Sequence, residues 1–252
     1  MLEKQPYVKQ AIENEVGYIE FFHPAHNSLP GDVLAQLANT ISEAGENDAI
    51  KVIVLKSGGD RTFCAGASFN ELININDAAT GKVFFSGFAN VINAMRKCPK
   101  FIIGRIQGKT VGGGVGLAAS TDYCMATKFA AIKLSELNIG IGPFVVGPAI
   151  ERKMGLSAMS QIAIDANTFY PADWAKQKGL FTHVYDSTEE LDEAVKTTAE
   201  HLCTYNTEAM QEMKKVFWKG TDDWDKLLAE RAQTSGRLVL SDFTKEKLKG
   251  FK

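Results

Sequence analysis

Three short stretches of this chain combine residue types that could do chemistry. The first is Val111-Gly112-Gly113-Gly114-Val115-Gly116-Leu117-Ala118-Ala119, glycines running into a helical pattern. Glycine lets backbone N–H groups approach a ligand with no Cβ in the way. A helix N-terminus also carries partial positive charge, which suits an oxyanion or a phosphate. Three readings are open. The stretch is half of an oxyanion hole, or a tight helix-on-strand contact, or a dinucleotide fingerprint. For the last, Gly114-x-Gly116-x-x-Ala119 has the pattern and Glu136 stands about 20 residues on as a ribose-binding acid.

The second stretch, Thr62-Phe63-Cys64-Ala65-Gly66-Ala67-Ser68-Phe69, again leads small residues into a helix. Two such turns suggest two N–H donors converging on one oxygen, the geometry that stabilises an enolate or a tetrahedral anion. Cys64 is a candidate nucleophile, but no histidine stands where it would activate the thiol. The third stretch places Glu136 among apolar residues before Gly140-Ile141-Gly142-Pro143. A carboxyl so placed has a raised pKa and suits proton transfer near neutral pH. A helix cap or a loop ion pair would explain the residue equally. Asp122 reads as a structural carboxylate at a strand start, and Asn27-Ser28 as turn chemistry.

Elements must position these groups. Tyr18–Phe22, Ile50–Lys56, Phe101–Ile106, Tyr123–Ala126 and Ala131–Leu134 are expected strands. Helical spacing marks Gly31–Ala44, Phe69–Ile75, Lys82–Cys98, Gly112–Ala119, Leu156–Asp165, Ala172–Lys178, Thr188–Cys203, Asn206–Trp218 and Asp222–Ser241. Strands and helices therefore alternate as far as about residue 135, and helices follow. That order argues an α/β fold with an appended helical region.

Composition narrows the classes. Over 252 residues, 28 Lys and Arg against 30 Asp and Glu give a formal charge of -2, no footprint for nucleic acid or an anionic membrane. Cys64, Cys98, Cys124 and Cys203 lie far apart, and the four histidines have no metal spacing, so no metal site and reduced thiols are expected. No run approaches the roughly 20 apolar residues of a membrane helix. The start, MLEKQPYVKQ, lacks the pattern of a secretory signal, so a cytoplasmic protein is expected.

In this order, the stretches resemble the crotonase (enoyl-CoA hydratase/isomerase) family over nearly the whole chain. Pro24-Ala25-His26-Asn27-Ser28-Leu29 resembles its P-x-x-N-[AS]-L element, and Phe63 to Ser68 its F-x-A-G-A-D element, with Ser for Asp. Gly108 to Asp122 resembles the glycine-rich element, and Ser135-Glu136 to Gly140 the P-E-x-x-L-G element, with Ser for Pro. Pro171-Ala172 to Leu180 resembles a later A-x-x-A-x-x-x-G-L element.

The resemblance implies a spiral of ββα repeats over residues 1–190 and a C-terminal helical trimerisation region over 191–252, in a trimer or hexamer. It implies an acyl-CoA substrate, with CoA as part of the substrate and no separate cofactor. The N–H groups of Ala67 and Gly113 would hold the thioester oxygen, and Glu136 would be the acid/base. Cys64, Ala65, Ser68, Phe243, Lys245 and Lys247 would contact substrate or CoA, and Phe69, Leu72 and Phe144 would line an acyl pocket. Hydratases of the family carry a second glutamate where this chain has Gly116. One carboxylate suffices to move a proton along a substrate, so the pattern leans to double-bond isomerisation. Gly116→Glu is then expected to favour hydration, unless Glu71 or Ser68 already orders a water. The alternatives are a 2-enoyl-CoA hydratase, an acyl-CoA decarboxylase or hydrolase, an inactive CoA binder, and the NAD-dependent oxidoreductase of the fingerprint reading.

Overall fold

Strands β1 (Tyr7–Glu13) and β2 (Val16–Phe22) form an antiparallel hairpin. Its turn residues Asn14 and Glu15 both adopt the left-handed conformation, at φ 50° and 63°, as tight hairpins require. The computed structural model describes residues 5–249. Sequence reading finds β2 and misses β1, because only Val8 in that strand is buried and no apolar alternation marks it.

After a break come β3 (Ser28–Leu29), α1 (Gly31–Glu46), β4 (Val52–Ser57), β5 (Thr62–Cys64), β6 (Gly66–Ala67), α2 (Phe69–Leu72) and α3 (Ala78–Lys97). Then follow β7 (Phe101–Ile106), β8 (Lys109–Val111), α4 (Gly113–Ala119), β9 (Tyr123–Thr127), β10 (Ala131–Lys133) and a 3-10 turn over Glu136–Ile139. The chain ends with α5 (Gly147–Ile164), β11 (Tyr170–Pro171), α6 (Ala172–Gln177), β12 (His183–Tyr185), α7 (Thr188–Cys203), α8 (Thr207–Phe217), α9 (Trp224–Leu238) and α10 (Asp242–Lys249).

One sheet has the order β1-β2-β4-β7-β9-β12, parallel from β2 onward. A second has the order β11-β10-β8-β5, and β3 pairs with β6 in a small third sheet. Strands from successive repeats thus alternate between the first two sheets. β4 and β7 are almost wholly buried, as parallel strands covered on both faces are. One face of the large sheet packs under Leu191, Val195, Ala199 and Cys203 of α7. The other carries the main core, built with α1, α3, α4 and α5.

The helical boundaries differ from expectation in two places. α5 begins at Gly147, although Gly147-Pro148 reads as loop; Gly155, at φ 80°, interrupts it where the expected helix begins. The long helix expected over Asp222–Ser241 ends at Leu238, and the Ser241 hydroxyl accepts the Thr244 N–H to start α10.

The boundary expected between residues 190 and 191 falls inside α7, which covers the large sheet; residues 250–252 of the expected tail lie outside the described residues. Arg105 on β7 makes a paired contact with Asp192 on α7 at 2.7 and 3.0 Å. Trp218, Trp224, Leu228 and Ala232 belong to the main core. α9 crosses α3 so closely that a Cβ on Gly81 would lie 2.9 Å from the Gly236 Cα. The C-terminal helices are therefore integral to the fold of this chain.

Asp122 is structural, as expected. Its carboxylate accepts from the Ile102 N–H at 2.8 Å, Lys214 Nζ at 2.7 Å and Trp218 Nε1 at 2.9 Å. This buried pair ties α8 to the start of β7. Among the described residues, no helix is long and apolar enough to cross a membrane.

Candidate active site

A cavity of about 350 Å³ opens where the small-residue turns meet. Its first wall is Ala65-Gly66-Ala67. Gly66 has φ +94°, and a Cβ there would lie 3.3 Å from the Val111 carbonyl and 3.8 Å from the Gly113 nitrogen. The two turns therefore converge, which spacing in the sequence could only suggest.

The support beneath this wall comes from the Asn27-Ser28 loop. Asn27 is buried and its Nδ2 donates to the carbonyls of Gly58 and Thr62, each at 2.9 Å. The Ser28 hydroxyl donates to the Ala67 carbonyl at 2.9 Å, which fixes the plane of the peptide that follows Ala67. Sequence reading assigned both residues to turn chemistry; their place in the P-x-x-N-[AS]-L element was the available signal.

The second wall is the start of α4. Gly113 is the first residue of the helix, so its N–H has no acceptor within the helix. A Cβ on Gly113 would lie 2.3 Å from Phe88 Cζ, and one on Gly112 would lie 2.9 Å from Glu136 Oε1. Gly112 therefore leaves the space that the carboxyl occupies. Gly114 and Gly116 serve packing: added Cβ atoms would lie 2.7 Å from Cys64 Cβ and 2.5 Å from Val146 Cγ1. All seven residues of α4 are buried, so the fingerprint glycines sit against protein and offer no cradle for a dinucleotide.

Glu136 opens the 3-10 turn and is the one ionisable side chain lining the cavity among the described residues. The residue is half-buried, but its Oε2 is shut off from solvent without a hydrogen-bond partner. Burial pushes the carboxyl up to about 7 from an ordinary 4.5, against an opposing pull from the backbone N–H groups of Glu136 and Ser135. A group poised there exchanges protons readily at neutral pH.

The remaining walls are apolar. Phe69, Leu72, Phe84, Phe85, Phe88, Ile139, Ile141 and Phe144 line the cavity, with Val146 where a side chain from position 116 would otherwise approach. Phe69, Leu72 and Phe144 are thus together, as are Ala65, Ala67, Gly113 and Glu136. Ser235, from α9, also faces the cavity and carried no signal in sequence.

Other candidates lie elsewhere. Ser68 caps α2 by accepting the Glu71 N–H at 3.3 Å, and it does not line the cavity. Glu71 accepts the Gly31 N–H at the start of α1, at 3.0 and 3.2 Å. Cys64 is fully buried behind the first wall, its Sγ accepting the Gly66 N–H at 3.4 Å. Burial pushes its thiol up to about 12, which suits an orienting group and not a nucleophile.

Phe243, Lys245 and Lys247 lie on α10, exposed to solvent. That helix is anchored beside the site, because Phe243 and Thr244 press on Gly140, just past the 3-10 turn. Lys247 Nζ stands 5.6 Å from the Phe243 ring centroid. Among the described residues no cluster of His, Cys, Asp and Glu could hold a metal ion.

The chain as a whole is similar to several known proteins. A short-chain-enoyl-CoA hydratase of Clostridium acetobutylicum is 25% identical over 242 residues, covering 95% of this chain and 92% of that protein. A peroxisomal Delta(3,5)-Delta(2,4)-dienoyl-CoA isomerase of Arabidopsis thaliana is 28% identical over 211 residues, 77% of this chain and 74% of that protein. The crystal structure of an enoyl-CoA hydratase from Bacillus halodurans superposes with a TM-score of 0.89 at 20% identity, covering 97% of this chain and 99% of that one; this likeness is one of fold. A family model described as "Enoyl-CoA hydratase/isomerase" matches residues 11–251. The chain therefore belongs to the enoyl-CoA hydratase/isomerase family.

Proposed function

We propose that this enzyme shifts a carbon–carbon double bond within an enoyl-CoA thioester, from C3 to C2, with Glu136 as the sole acid/base. The observation that carries this reading is the buried carboxyl of Glu136 in a cavity that is otherwise uncharged among the described residues. The thioester oxygen sits between the N–H groups of Ala67 and Gly113. Glu136 removes a proton from C2, the negative charge that develops on the oxygen is held by the two donors, and the same carboxyl returns the proton at C4. The step balances without water, oxidant or metal.

The closed approach from position 116 supports isomerisation over hydration. Hydration needs a second group to hold water, and Val146 fills the space beside Gly116. The candidates Glu71 and Ser68 are both engaged as helix caps. A panel of 2-enoyl and 3-enoyl CoA esters analysed by liquid chromatography with mass spectrometry separates the outcomes: isomerisation gives a new peak of unchanged mass, whereas hydration adds one water. A hydrated product as the main species would overturn the reading. Glu136→Gln is expected to reduce kcat by about two to four orders of magnitude while leaving CoA-ester binding nearly unchanged; wild-type turnover in that variant would remove Glu136 from the mechanism.

The CoA phosphates are taken by Lys245 and Lys247 of α10. Lys245→Ala with Lys247→Ala is expected to raise KM for CoA esters and leave KM for the shorter pantetheine esters unmoved. Equal effects on both would place the phosphates elsewhere.

A further inference from the structure

A second cavity of about 600 Å³ lies beside the first, between α1, α2 and α3. Its walls include Ala35, Ile75, Val83 and Gly87, with the amides of Asn70, Asn74 and Asn90 among its polar atoms. The short helix α2 divides the two spaces. Phe69 and Leu72 face the catalytic cavity, whereas Asn70 and Glu71 face the second. Among the described residues, Phe84 is the one that lines both. Its half-buried ring meets the Phe85 ring edge-on, centroids 5.0 Å apart at 90°.

We propose that the Phe84 ring is the end wall of the acyl site and sets the longest acyl chain this enzyme takes, the second cavity being the space that a longer chain would enter if the ring were removed. The inference rests on the acyl-CoA reading above. A side chain is the natural boundary here: it can be shortened or turned without moving backbone, and apolar atoms face it from both sides. Each methylene that leaves water for an apolar wall tightens binding about fourfold. Affinity should therefore climb with chain length until the chain reaches Phe84, and then level off.

The test is calorimetric titration with saturated acyl-CoA esters of increasing length, which needs no turnover. In the wild type, affinity is expected to rise stepwise and reach a plateau. Phe84→Ala should move the plateau to longer chains by several methylenes, and Phe84→Leu by fewer. Ala35→Phe, which fills the second cavity from α1, should draw the plateau of Phe84→Ala back. An unchanged plateau in both Phe84 variants, each confirmed folded by circular dichroism, would overturn the proposal, as would a plateau in Phe84→Ala that ignores Ala35→Phe. Failure of the wild type to bind any acyl-CoA would overturn the substrate reading itself; chain-dependent binding without isomerisation would leave the Phe84 assignment standing and discard only the reaction.

Discussion

At the scale of single residues, the proposed chemistry rests on Glu136. Its carboxyl is held neutral by burial up to about pH 7, and only the ionised form can remove a proton. kcat/KM should therefore rise with pH through about 7 and flatten above it, with no such limb in Glu136→Gln. The stability effect has the opposite sense. A carboxyl with a raised folded pKa favours the folded state at low pH, and that contribution is lost as pH rises through about 7. The melting temperature of Glu136→Gln relative to wild type should be higher at pH 8 than at pH 5; a constant difference would show that the carboxyl is not sealed from water.

Gly116 is the second residue on which the proposed reaction turns. A glutamate there would meet Val146 before reaching the cavity, so Gly116→Glu alone is expected to destabilise by about 1–3 kcal/mol through overpacking and to gain no hydratase activity. This outcome differs from the expectation read from sequence, in which Gly116→Glu favours hydration, and the same product analysis decides between them. Gly116→Glu with Val146→Ala is the variant in which product analysis should first find water added.

Among elements, the crossing of α3 and α9 matters most to the site. α3 supplies Phe84, Phe85 and Phe88, and α9 supplies Ser235, next to the glycine on which the crossing depends. Gly81→Ala puts a methyl against the Gly236 backbone, which cannot give way as a flexible side chain would. A loss of about 1–3 kcal/mol in urea denaturation is expected, with lowered kcat as the cavity wall shifts. Retained stability would mean that the helices separate easily and that this contact does not set the cavity.

Across the whole molecule, the buried Lys214–Asp122 pair joins the C-terminal helices to the large sheet. Lys214→Ala would leave Asp122 buried with its main cation removed, at a cost of about 3–5 kcal/mol. A change under about 1 kcal/mol would show that Trp218 and the Ile102 N–H suffice for that carboxylate. Self-association belongs to this scale too. We propose a trimer or hexamer, which would cover the exposed Leu156 and Ile164 of α5 and Val216 and Phe217 at the end of α8. Sedimentation velocity is expected to show three or six chains; a monomer at micromolar concentration would overturn it.

Much of this was legible in the residues themselves. The β-branched runs of β4 and β7, the stripe of α3 and the period of α7 mark their elements because each buries one face or all faces of a regular period. Glu136, Ala67 and Gly113 were marked by the resemblance to the family's motifs, since the residues taken alone left a helix cap or a close-packed turn open. β1 was hidden because it is an exposed edge, and the first half of α5 because a glycine and a proline open it; Ser68 caps α2, a role its hydroxyl can fill as readily as a ligand contact. Sequence by itself determined the elements, their α/β order and the chemical types in the site, since these depend on local period and side-chain chemistry. Only the tertiary structure decided that Gly66 meets Gly113, that Gly112 makes room for Glu136 and that Val146 stands where a second acid would reach. Those facts depend on distances between segments far apart in the chain, which no local pattern encodes.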